Sequence, residues 1–115
     1  MLRDVIGAKL RPPEEFRMYE KPVVVKLRYV DIRKDPFPEP WEATVQFDLG
    51  TEQKFAFTRL NLVDEGSKTA RATLVGERNG DVLVVFPPTN FGETKFYADS
   101  RQLLKIVHRP AEAAE

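Results

Sequence analysis

Residues 41–49 read WEATVQFDL, and this stretch decides the fold class. Trp41, Ala43, Val45, Phe47 and Leu49 alternate with Glu42, Thr44, Gln46 and Asp48. A period of two fits an extended strand with one dry and one wet face, and no helix. Gly50 marks a turn, and QKFAFTRLNL (53–62) returns as the partner strand, read with Phe55 and Phe57 inward.

The same period extends in both directions. Upstream, in PVVVKLRYVDI (22–32), Val25, Leu27 and Tyr29 alternate with Lys26 and Arg28. RKDPFPEP (33–40) then packs three prolines into eight residues, which neither a helix nor a strand interior tolerates. Downstream, DEGS (64–67) is a turn, and KTARATLVGE (68–77) is a strand with Ala70, Ala72 and Leu74 inward. Asn79-Gly80 accepts positive φ at both positions and so predicts a type I′ hairpin turn. DVLVVF (81–86) is apolar on both faces, as is VVV (23–25). Such strands need cover on two sides, from the N-terminal arm or from a second subunit in a homodimer.

Pro87 and Pro88 cannot donate to a ladder and end that strand at Phe86 in this reading. Asn90-Phe91-Gly92 reverses the chain, and TKFYA (94–98) resumes with Phe96 and Ala98 inward. Asp99 or Ser100 caps a short helix with Leu103, Ile106 and Val107 on one stripe; alternatively, LLKIV is a last strand. At the other end, Pro12, Pro13, Glu14 and Glu15 suit a helix start, which predicts a helix over about 13–20 with Phe16 and Tyr19 on one face.

The expectation is therefore a single mainly β domain, an antiparallel barrel or sandwich of five to six strands. A short helical arm (1–21) precedes the β domain (22–108), which ends in a short helix or strand before a frayed tail (109–115). The run from VLVVF through TKFYA to LLKIV resembles the ending of SH3-like and Tudor-like barrels. That resemblance implies a binding module and carries no functional residues, because fold does not fix function.

Composition narrows the chemistry. The 115 residues suffice for one core, and no 18-residue apolar run is present to span a membrane. The opening residues have no sustained apolar signal region, which makes the cytoplasm the expected location. The absence of cysteine excludes disulfides, thiolate metal sites and a cysteine nucleophile. His108 is the single histidine and reads as a solvent-exposed side chain near the C-terminus. One histidine without cysteine leaves zinc or copper short of ligands, so no metal or cofactor is expected. Asp31, Asp35, Asp64 and Glu65 have no spacing that brings two acids into one cleft. Gly76, Gly80 and Gly92 fall at turns between strands, unlike a phosphate loop.

Eighteen basic residues balance eighteen acidic ones, whereas a duplex-binding domain carries a positive excess. Only the first 35 residues lean basic, with nine Lys/Arg against six Asp/Glu, so nucleic-acid binding through Lys26, Arg28, Arg33 and Lys34 is a weak alternative. The reading that remains is a binding or interaction module without catalysis, for a protein or small-molecule partner. Its contact aromatics are Phe37 in the proline loop, Trp41 at the mouth of the next strand and Phe91 at a loop tip. Alternation with Val45 and Phe47 gives Trp41 a competing place in the core. The rival reading is a small-molecule-binding barrel or a minimal carboxylate-dependent enzyme.

Overall fold

The computed structural model describes residues 15–34 and 41–109. Strands β1 (Arg17–Arg28), β2 (Asp31–Lys34), β3 (Glu42–Asp48) and β4 (Gln53–Arg59) come first. A single 3-10 turn, Leu60–Leu62, leads to β5 (Val63–Asp64), β6 (Thr69–Arg78), β7 (Asp81–Thr89) and β8 (Gly92–Asp99). Helix α1 (Ser100–Ile106) closes the described chain. The count exceeds the expected five or six because β2 and β5 are short edge segments.

The strands form two antiparallel sheets. One has the order β1-β6-β7-β8 with β5 also on β6; the other has the order β2-β3-β4. No ladder joins them into a closed barrel among the described residues. They pack instead around Phe47 of the smaller sheet, which stacks on Phe86 at 5.7 Å and meets Phe96 at 6.4 Å. Leu27, Val45, Phe47, Val84 and Phe86 are fully buried. Large apolar side chains at this density hold the sheets face to face.

Register decides which residues enter this core, and it corrects the reading of β4. The loop between β3 and β4 has an even number of residues, with Asp48 opposite Gln53, so odd positions on β3 oppose even positions on β4. Phe47 pairs with Lys54 and Val45 with Ala56, and directly opposed side chains share a face. Ala56 and Thr58 are therefore inside, while Phe55 and Phe57 stand outside. Lys54 bends its ammonium over the Phe96 ring, 5.8 Å from the centroid, and pairs with Glu52 at the rim.

Other expectations meet the structure directly. Asn79 (φ 56°) and Gly80 (φ 89°) make the β6–β7 turn. Asp99 Oδ1 accepts from the Arg101 and Gln102 amides and caps α1, which buries Leu103 and Ile106. The chain then bridges Val107 to Leu27, and His108 N–H donates to Lys26 O at 2.7 Å. Helix and strand-like pairing thus both occur after residue 99. The prolines do not end β7 at Phe86. They lie inside a register shift between Phe86 and Thr89, where the ladder asks for no amide from them.

The helix expected over 13–20 is corrected where it can be seen, because 17–20 belong to β1. Tertiary contacts override the local helix signal. Arg17 and the Tyr19 hydroxyl both bond Glu77 on β6, and those two bonds hold the Glu77 carboxyl below its usual range. Phe16 lies against Gly76 and meets Tyr97 edge-on at 6.5 Å. In the ladder Gly76 is opposite Leu83 and Leu83 opposite Tyr97, so Phe16 covers part of the outer face of β7. The arm therefore supplies some of the second cover that β7 requires.

The free edge of β1 is blunted. Its register on β6 shifts between Met18 and Val23, with Pro22 inside the shift, and the Val107–His108 segment occupies the edge beside Lys26 and Leu27. Val23 and Val24 remain exposed there.

Two substitutions check this arrangement. A Cβ at Gly76 would lie 2.6 Å from Arg17 O, so Gly76→Ala should displace the Phe16 seat and cost about 1–3 kcal/mol in urea unfolding. Phe47→Ala should cost about 3–5 kcal/mol, while Phe55→Ser should stay within roughly 0.5 kcal/mol; equal losses would overturn the register.

Candidate functional site

The inverted parity of β4 leaves two phenylalanines facing solvent on its outer face, 56% (Phe55) and 36% (Phe57) exposed. The β7–β8 hairpin supplies a third. Phe91, 60% exposed, rests on Phe57 with ring centroids 5.0 Å apart and planes tilted 30°. Offset stacking of this kind adds to simple area burial. The three rings border a depression of about 280 Å³, with Thr44 and Lys95 also on its rim.

Several hydrogen bonds fix the tip that carries Phe91. Its own amide donates to Thr89 Oγ1 at 3.0 Å, and the Thr89 hydroxyl donates to Gly92 O at 3.2 Å. Asn90 N–H donates to Glu42 Oε2 at 2.9 Å, and Arg59 Nε donates to Pro88 O at 3.1 Å. Between the sheets, Phe57 N–H donates to Thr94 Oγ1 at 3.1 Å. The ledge is thus held from β3, β4 and the hairpin itself.

Trp41 is not core. The residue is 66% exposed, and it lines a second depression of about 370 Å³ with Glu42, Arg59, Leu60 and Asn61. Alternation holds from Ala43 to Leu49 and breaks at Glu42, which is buried because its carboxyl group reaches Asn90. The Trp41 carbonyl accepts from Leu60 N–H at 2.8 Å, which fixes the backbone while the ring stays out. Trp41 and Phe91 therefore line neighbouring but separate depressions, linked through the Glu42–Asn90 bond. Phe37 lies outside the described residues.

The basic residues Lys26, Arg28, Arg33 and Lys34 are divided between the two sheets. Lys26 and Arg28 lie on β1 in the larger sheet, and Arg28 donates to Lys105 O. Arg33 and Lys34 are consecutive on β2 and so face opposite ways, with Lys34 paired to Glu65 at 2.9 Å. Asp64 is a turn residue whose Oδ1 accepts from the Gly66 and Ser67 amides; the bonds from Ser67 chiefly pull its carboxyl below the usual range. His108, expected in solvent, is half-buried, and its Nδ1 has no hydrogen-bond partner among the described residues.

Comparison with protein-family models, curated proteins and solved structures finds no match to this chain. The site therefore stands on its own chemistry. Acrylamide should quench the fluorescence of Trp41 strongly, with red-shifted emission, since it is the single tryptophan and two-thirds exposed. Weak quenching with blue-shifted emission would return the ring to the core and remove the depression beside it.

Proposed function

We propose that this protein is a peptide- or protein-binding module, and that the Phe55–Phe57–Phe91 ledge is its contact surface. The observation that carries the reading is the stacked Phe57–Phe91 pair, built from two elements and left open to solvent. Rings outside a core add nothing to it, and large rigid aromatics ringed by polar groups are the usual anchors of interfaces. A depression of about 280 Å³ suits one large apolar side chain of a partner. Lys95 and Glu93 at its edge supply charges of both signs for orientation.

The net charge of zero favours a protein partner over a polyanion. A binding role also accords with the SH3-like patterning of residues 82–107. Selection of a displayed peptide library on the immobilised protein tests the proposal. Recovered peptides should share an apolar or aromatic anchor and bind Phe91→Ala at least about tenfold more weakly, a loss of roughly 1.4 kcal/mol. Peptides that bind Phe91→Ala and the unmodified protein equally, or an empty selection, would sink it.

A further inference from the structure

The outer face of the larger sheet carries a spot of positive charge at its β1–β6 corner. Leu27, Ala70 and Ala72 are buried, so the neighbouring Lys26 and Arg71 point the other way, and both are exposed. They stand directly opposite each other on the ladder. Lys26 O turns away from β6 to accept from His108 N–H at 2.7 Å, which makes this one of the closer, non-hydrogen-bonded pairs. The two Cβ atoms of such a pair lie about 5 Å apart, and like charges placed there repel. Arg28, one same-face step along β1, adds a third exposed cation and gives one N–H to Lys105 O at 3.2 Å.

No carboxylate among the described residues forms an ion pair with any of the three. The acids of the adjoining turn are committed: Glu65 pairs with Lys34, and Asp64 Oδ1 accepts from the Gly66 and Ser67 amides. Ser67 chiefly holds the Asp64 carboxyl below its usual range, and Lys26 is the smallest contributor. Two cations side by side are best met by one group that itself carries two charges. We propose that this corner binds a phosphomonoester dianion on a phosphorylated segment of a partner protein. The Arg71 fork takes two of its oxygens and the Lys26 ammonium the third, a pairing that a singly charged carboxylate or phosphodiester meets only in part. Val24 and Thr73, the next residues on this face, are uncharged. The positive charge is therefore a spot and not the track that a nucleic-acid backbone follows. The site lies on the other sheet from Phe55 and Phe57 and does not depend on the ledge.

Titration of the intact protein with N-acetyl-O-phospho-L-serine methylamide at low salt tests the proposal, read by amide chemical shifts. Saturable binding at millimolar concentration is expected, with shifts concentrated at Lys26, Arg28, Arg71 and Thr73. Dimethyl phosphate and N-acetyl-L-glutamate methylamide, which each carry one charge, should bind about tenfold more weakly. Arg71→Glu should show a loss of at least the same size with circular dichroism unchanged, Lys26→Arg should retain binding, and Phe91→Ala should show no change. A lack of saturable shifts with the phosphoserine compound would overturn the proposal, as would dimethyl phosphate binding equally well. Single-stranded oligothymidylate and vesicles of phosphatidylcholine with phosphatidylserine, at matched phosphate concentration, should leave the same signals in place. Equal or larger shifts with either would give the corner to a polyanion or a lipid surface and overturn the reading. The series of small anions decides the question even if a variant fails to fold.

Discussion

The described structure depends on the burial of Phe47 between two sheets that share no hydrogen-bonded ladder among the described residues. Phe47 touches Phe86 and Phe96, which themselves lie 6.1 Å apart, so three rings from β3, β7 and β8 form the joint. Polar links between the smaller sheet and the β7–β8 hairpin lie around this joint: Phe57 to Thr94, Glu42 to Asn90, and Arg59 to Pro88. Apolar burial is non-directional and brings the sheets together; the hydrogen bonds set their mutual position. The same joint dictates what is left outside. With Phe47 inward, the ladder leaves Phe55 and Phe57 no side but the solvent.

The elements governed by nearest neighbours were legible in the sequence. Alternation located β3, β6 and β8, Asn79-Gly80 marked a hairpin, and Asp99 marked a helix start. Features governed by counting or by distant partners were not. The parity of β4 follows from the even loop between Asp48 and Gln53, which becomes informative only once the opposed pair is known. Trp41 continues the alternation on paper, but Glu42 is drawn inward by Asn90, 48 positions away, and the ring turns out. The helical signal at 13–20 loses, where described, to Glu77 and Gly76, which are equally remote in the chain.

The candidate surfaces divide along the same line. Phe91 could be named from its loop because a turn tip is a local feature. Phe55 and Phe57 were the stronger part of the ledge, and nothing about them looked unlike core residues. That Glu42 Oε1 is buried without a hydrogen-bond partner among the described residues emerges only when its whole surroundings are assembled.

The Glu42–Asn90 bond has a consequence for the timing of assembly. Contacts between residues far apart in the chain form late, because the intervening loop must close first. Phe57 and Phe91 are separated by 34 positions, and their stack exists only when both sheets are complete and joined. A chain with one sheet formed presents no ledge at all. A partner of the proposed kind would therefore recognise finished molecules alone and, by mass action, would draw the population toward them. The stack itself is a mark of completed folding, written in residues that no partially built copy brings together.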